Sequence, residues 1–82
     1  MRIDSFLNAV NLVKRRATAQ DMIAHNAVTI NGAVVKASRE TRVGDIIELK
    51  FLTHTKRYET LAIPATRSIP KAAQKDYIKE IA

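Results

Sequence analysis

Three consecutive cations, in the stretch VKRRATAQDMI, are the residues of this chain whose types and spacing best suit a binding chemistry. Lys14, Arg15 and Arg16 directly precede a predicted helix, whose N-terminus carries free N–H groups and about half a positive charge. Cations are unfavourable for a helix at that end. A phosphate there would instead be held by N–H donors and side-chain cations together. The stretch therefore predicts a phosphate-binding surface.

Neighbouring polar residues add to the predicted phosphate-binding surface, but some of the three cations could instead have a structural role. Thr18 and Gln20 would add hydrogen bonds at the start of the helix. Arg2 either faces the same phosphates or pairs with an acid, Asp4 or Asp21. The alternative is that one or two of the three consecutive cations stabilise the C-terminus of the preceding helix, where positive charge is favourable.

Further cations follow in the second half of the chain. Lys36 and Arg39 come after a predicted hairpin and could extend the basic surface, or they are ordinary solvated charges. Lys50, Lys56 and Arg57 lie in predicted strands, and the sequence leaves open which face of the sheet they occupy.

Composition favours a polyanion as the partner. The 82 residues form one small domain with 14 Lys and Arg against 8 Asp and Glu, a net charge of +6 and a pI near 10.1. Such a balance favours nucleic acid ahead of an anionic membrane, although general solubility charge is the alternative. Cysteine is absent, and no signal peptide or membrane-spanning run is recognisable, so we expect a cytoplasmic protein without disulfides.

Catalytic and metal-binding patterns are missing from the sequence. His25 and His54 are isolated, and Gly32 and Gly44 are the only glycines, each in a predicted turn. We therefore expect no catalytic residue, no metal site and no cofactor. With two Phe and two Tyr in the chain, backbone contacts are expected to outweigh base stacking.

Two helices are expected to position the cations. An apolar stripe predicts the first helix over residues 3–13, with Asp4 as its N-cap. The stripe consists of Ile3, Phe6, Leu7, Val10 and Val13. Thr18 and Asp21 have the spacing of a capping box, so the second helix is expected to begin at Thr18 and to end at Asn26.

An antiparallel sheet is predicted after the helices. Asn31 and Gly32 between β-branched runs are typical of a tight hairpin. Residues 43–52 and 57–64 are predicted to contribute further strands. Pro70 could open a short terminal helix, or the terminus frays. In that helix three residues would share a face: Tyr77, Ile78 and Ile81. The fold class is α+β, with two N-terminal helices packed on a small antiparallel β-sheet.

Four stretches together resemble the S-four (S4) RNA-binding domain, or alpha-L motif: RIDSFL, KRRATAQDMI, VTINGAVVKAS and VGDIIEL. The resemblance covers residues 1–50 and implies that structured RNA binds along the second helix and the loop after it. Residues 1–63 would form this domain, with residues 64–82 as a weakly structured or helical extension. The RNA-binding face implied by the resemblance consists of Arg2, Lys14, Arg15, Arg16, Thr18, Gln20 and Lys36.

The resemblance also implies a function. A chain this short is expected to hold no separate catalytic domain, and it resembles the stand-alone bacterial members, which act in ribosome-associated quality control. It implies a non-enzymatic, ribosome-associated protein that binds large-subunit rRNA and tRNA, contacts no membrane and is monomeric when free. Two alternatives are an RNA-recruitment domain working with a separate RNA-modifying enzyme and a DNA-binding module, since two short helices also suit a helix-turn-helix.

Overall fold

Residues 1–81 are described by a computed structural model that contains two helices followed by a five-stranded sheet. The α-helices are α1 (Ile3–Ala9) and α2 (Arg16–Ala24). The strands are β1 (Val28–Ile30), β2 (Ala33–Val34), β3 (Ile46–Lys50), β4 (Thr55–Thr60) and β5 (Ile78–Ile81), and a 3-10 helix spans Lys71–Asp76. All strand pairs are antiparallel, in the order β2-β1-β3-β4-β5. The predicted fold class is confirmed.

The core lies between the two helices and one face of the sheet. Ile30, Ile47 and Tyr58 are register neighbours on β1, β3 and β4, and all three are buried. The predicted apolar stripe of the first helix packs against this face and is buried throughout: Ile3, Phe6, Leu7, Val10 and Val13. Burial of this stripe is the main favourable contribution to folding.

The first helix differs from its predicted bounds. Asp4 is not the N-cap, because the helix begins at Ile3 and Arg2 occupies the cap position. The helix ends at Ala9, four residues before the predicted end, because Asn11 adopts a left-handed φ of 64°. The Asn11 side-chain amide donates to the carbonyl of Ile69 at 2.8 Å, so a contact distant in sequence accompanies the end of the helix.

The second helix begins two residues earlier than predicted. Arg15 is its N-cap and makes no side-chain capping bond, so the expected capping box of Thr18 and Asp21 is wrong. The Thr18 amide donates to the Arg15 carbonyl at 3.1 Å, which places Thr18 inside the first turn. The predicted end of the helix is confirmed, since Asn26 has a φ of 58° just after it.

A tight hairpin joins β1 to β2, as predicted. Asn31 and Gly32 have φ values of 54° and 86°, which is the pattern of a type I′ turn. The Asn31 side chain also accepts a hydrogen bond from the Ile46 backbone amide at 3.0 Å and donates one to the Asp45 carboxylate at 3.1 Å. The turn is thereby tied to the start of β3.

The C-terminal segment completes the sheet instead of forming a terminal α-helix. Pro70 is the N-cap of the 3-10 helix, but the expectation that Tyr77, Ile78 and Ile81 share a helical face is wrong. Residues 78–81 pair with β4 because that edge would otherwise expose unpaired backbone groups. The proposed division of the chain at residue 63 stays a prediction.

Replacing Gly32 by Val should lower the free energy of unfolding by about 1–2 kcal/mol or more, because a β-branched residue is strained at positive φ. No atom lies within 4 Å of a Cβ built on Gly32, so the loss would come from the backbone and not from a clash. Urea unfolding measures the effect. Ala33→Val, in an exposed strand position next to it, is the matched control. Equal losses in both variants would contradict the turn assignment.

Candidate nucleic-acid interface

A fully buried carboxylate, that of Asp4, lies at the centre of the predicted RNA-binding face. Its Oδ2 atom accepts hydrogen bonds from Arg2 Nη2 at 3.1 Å and from Arg16 Nε at 3.2 Å. The same oxygen accepts from Gln20 Nε2 at 3.0 Å. One acid of α1 therefore holds three of the seven predicted site residues, two of them from α2.

The second oxygen of Asp4 completes the arrangement. Oδ1 accepts from Arg2 Nε at 3.2 Å, which makes the Arg2 contact bidentate, and from the Ser5 amide at 2.8 Å. Burial by itself would raise the pKa of Asp4, but hydrogen bonds from Gln20, Arg16 and the Ser5 amide lower that pKa below its ordinary value. Asp4 is thus ionised at neutral pH although it is shielded from water.

Arg2 and Arg16 present their guanidinium groups to solvent while Asp4 holds them from behind. Their side chains remain 47% and 49% exposed. Each guanidinium has five N–H donors, and Asp4 occupies only part of them. Two cations therefore lie next to one another in fixed orientation on the surface. We call Arg2, Asp4, Arg16 and Gln20 the Asp4 cluster.

Lys14 and Arg15 form a second, less constrained group in the connection between α1 and α2. Both are exposed, and within residues 1–81 neither makes an ion pair with an acid. The backbone that carries Lys14 and Arg15 is held in place, because the side-chain amide of Asn8 donates to the carbonyls of Val13 and Lys14 at 3.4 and 3.2 Å. The structural alternative, that some of these cations stabilise the C-terminus of the first helix, gains no support, because the last turn of α1 holds no basic residue and Arg16 instead pairs with Asp4 in its first turn.

Lys36 is connected to the Asp4 cluster through Gln20. Gln20 and Lys36 line the same cleft of about 530 Å³, between α2 and the chain that follows β2. Thr18 lies elsewhere. It is two residues from both Arg16 and Gln20, which on an α-helix is a rotation of about 200°, so its exposed side chain points away from the cluster.

The cations of the later strands lie outside this surface. Arg57 pairs with Glu48 at 2.9 Å on the face of the sheet that points away from the helices. Lys56 Nζ lies 4.0 Å from the Glu80 carboxylate. These positions follow from strand register, which the sequence did not define.

Two residues of this surface could not be placed from the sequence. Asp4 was predicted to cap a helix or to pair with Arg2, and that pair is present, but a local rule could not show that Arg16 and Gln20 of α2 also bind it. Arg67 lines a cleft of about 600 Å³ together with Arg2 and Arg16. No sequence signal marks Arg67, because its position depends on how the C-terminal segment returns to α1.

The S4 domain family matches residues 1–47, which include α1, α2 and all seven predicted site residues. The chain belongs to the S4 domain family. It is 46% identical to an RQC P-site tRNA stabilizing factor of Helicobacter pylori, over 95% of this chain and 93% of that protein.

Solved structures extend the similarity of this S4 domain protein over all of its length. A trimeric structure of heat shock protein 15 from Vibrio cholerae matches with a TM-score of 0.90 and 26% identity, covering 100% of this chain and 82% of that one. The solution structure of a hypothetical protein matches with a TM-score of 0.88 and 44% identity, covering 100% and 98%. The similarity therefore includes β5 and the segment before it.

Residues 1–81 contain neither a membrane-spanning helix nor a cluster of metal ligands. None of the helices in this part of the chain combines the length and apolarity that crossing a bilayer requires. Residues 1–81 also bring together no group of three or more side chains that could hold a metal ion.

Asp4→Asn should lower the free energy of unfolding at neutral pH by about 1–3 kcal/mol, because two guanidiniums lose their buried counter-charge. Folding lowers the pKa of Asp4, so the carboxylate stabilises the protein above its ordinary value of 3.8. That contribution is lost as the pH falls through the lower folded pKa. The stability difference between the native protein and the variant should therefore shrink in acid. Urea unfolding between about pH 3 and pH 7 measures this difference.

Asp21→Asn is the matched control. Asp21 makes an exposed pair with His25 at 3.6 Å, and exposed pairs contribute little to stability. It should change the unfolding free energy much less than Asp4→Asn. A stability difference for Asp4→Asn that stays constant across the acid range would contradict the ionised cluster.

Proposed function

We propose that this S4 domain chain is a non-catalytic RNA-binding protein of ribosome-associated quality control that holds tRNA on the large ribosomal subunit. The observation that carries this proposal is the Asp4 cluster, which fixes two exposed guanidiniums beside the unpaired cations Lys14 and Arg15. Such a surface suits the phosphate backbone of a folded RNA.

Fixed guanidiniums favour phosphate binding for an entropic reason. A long side chain that is ordered only on binding loses rotamer freedom at that moment, at about 0.5–1.5 kcal/mol each. Arg2 and Arg16 are already held by Asp4, so their free N–H groups can meet a phosphate without that loss. Lys14 and Arg15 add long-range attraction, which speeds encounter with a polyanion.

The surface suits recognition of RNA shape more than of base sequence. None of the seven predicted site residues is aromatic, so base stacking has no platform among them. A DNA recognition helix needs side chains that are free to read base edges, but Gln20 and Arg16 are exposed and restrained, since both donate to Asp4. The restraint of these two side chains supports a folded RNA over duplex DNA as the partner.

The relative from Helicobacter pylori supports the choice of RNA. Its name describes stabilisation of P-site tRNA in RQC, and the chain matches 93% of its length at 46% identity. We extend this role to the present chain. Large-subunit rRNA as a second contact, and a monomeric state before binding, belong to the same proposal.

Arg15→Gln should weaken binding of an unmodified tRNA transcript roughly fivefold to tenfold at moderate salt, since one phosphate contact is lost. The log–log salt slope should become shallower by about 0.7–0.9. The melting temperature should stay nearly unchanged, because Arg15 is exposed and without an acidic partner in residues 1–81. Fluorescence anisotropy measures the affinities. Arg16→Ala is a poorer probe, because it also disturbs Asp4.

Arg57→Gln removes the same charge from the opposite face of the sheet and is the matched control. It should leave tRNA affinity within about twofold. A short duplex DNA serves as the competitor, and tighter binding to it would contradict the proposal. Sedimentation of cell extract should place the native protein with free large subunits, whereas co-migration with a modifying enzyme alone would exclude the ribosomal role.

A further inference from the structure

We propose that Arg67, in the C-terminal segment, joins Arg2 and Arg16 to form a three-guanidinium seat for one backbone phosphate of the bound RNA. This inference rests on the proposed function and adds a residue outside the part of the chain that the S4 family matches. It makes the C-terminal segment part of the RNA interface and not only part of the sheet.

The three arginines converge on one cleft of about 600 Å³. Its other lining residues are Met1, Ser5, Asn8, Ala65 and Thr66. Apart from Met1, the cleft combines cations with small or polar side chains, and no acid is among its lining residues. This composition suits a compact anion with several acceptor oxygens.

Charge balance at the cleft is incomplete without a ligand. Asp4 neutralises one positive charge of the Arg2 and Arg16 pair from behind. Arg67 is exposed and makes neither an ion pair nor a side-chain hydrogen bond with any described residue. Like charges that share a cleft repel one another, so the arrangement is unfavourable for folding alone. A phosphate between them would reverse that repulsion.

The backbone that carries Arg67 is anchored on both sides. Pro64 is buried before it, and Ile69 is buried after it at 7% exposure. The Ile69 amide donates to the Ala9 carbonyl at 3.1 Å, and the Asn11 amide donates to the Ile69 carbonyl at 2.8 Å. The segment is thus fastened to the end of α1, two residues from Arg67. Asn11 is a positioning residue for Arg67.

A further contact secures the same junction. Gln74 Nε2 donates to the Val10 carbonyl at 2.7 Å, so the 3-10 helix is also bound to the end of α1. The Thr66 hydroxyl donates to the Ser68 carbonyl at 2.8 Å, which closes a local turn around Arg67. These bonds hold the Arg67 backbone without occupying its guanidinium.

Arg67→Gln should weaken binding of the tRNA transcript roughly threefold to tenfold and make the salt slope shallower by about 0.7–0.9. Lys79→Gln is the control, because it removes the same charge from the exposed edge strand β5 and should change affinity less than about twofold. Arg67→Lys should restore affinity only in part, since lysine keeps the charge but not the planar fork of donors.

A double-mutant cycle separates a phosphate seat from a general charge effect. Asn11→Gly keeps the positive φ but removes the amide that holds Ile69. If Asn11 acts through Arg67, Asn11→Gly should weaken RNA binding in the native background and have little effect once Arg67 is Gln. Additive effects would show that Asn11 does not position Arg67, and would overturn that part of the inference.

The outcomes distinguish this inference from the proposed function. If Arg15→Gln weakens tRNA binding but Arg67→Gln matches Lys79→Gln, the phosphate seat is overturned while the RNA-binding function stands. If neither Arg15→Gln nor Arg67→Gln weakens tRNA binding, the proposed function fails as well. Inorganic phosphate should compete with tRNA more strongly than chloride at equal ionic strength, and Arg67→Gln should remove that difference. Equal competition by the two salts in the native protein would contradict a phosphate seat.

Discussion

The buried carboxylate of Asp4 is the interaction on which both the helical arrangement and the basic surface depend. It accepts five hydrogen bonds from the backbone or side chains of four residues on or beside α1 and α2. A buried charge is strongly unfavourable unless it is fully paired and hydrogen-bonded. Here that requirement is met only if α2 approaches α1 closely enough for Arg16 and Gln20 to reach the acid. The same contacts of Asp4 therefore determine how α1 and α2 pack and where Arg2 and Arg16 lie.

This arrangement divides the cations into two physical classes. Arg2 and Arg16 have a fixed orientation because the acid lies behind them, so in the proposed function they define where a phosphate binds. Lys14 and Arg15 have no such partner in residues 1–81, and in the proposed function they act through charge at longer range. In the proposed function, the fixed arginines therefore orient the bound phosphate, whereas Lys14 and Arg15 attract the RNA from a distance. A surface with only the second class would attract any polyanion without selecting its shape.

Features set by neighbouring residues could be predicted from the sequence. The apolar stripe of α1 and the turn at Asn31 and Gly32 depend on side-chain spacing and local backbone preference, and both are confirmed. The pair of Asp4 with Arg2 was one alternative that the sequence offered, but the contact of Asp4 with Arg16 could not be predicted, because Arg16 lies twelve residues away. The predicted end of α1 was wrong for a similar reason, since Asn11 contacts Ile69, which lies 58 residues later in the chain. Where a tertiary contact competes with a local rule, the tertiary contact decides.

The C-terminal segment makes tertiary contacts with two separate parts of the fold. It adds β5 to the open edge of β4, and it is fastened to the end of α1 through Asn11 and Ile69. Its strand therefore completes the sheet at one side of the molecule while Arg67 reaches the basic cleft at another. Pairing with β4 fixes residues 78–81, and the contacts of Ile69 with α1 fix the chain near Arg67, so together they limit where this cation can lie. The edge that β4 leaves open is thus one of the constraints that bring Arg67 to the surface formed by the S4 helices.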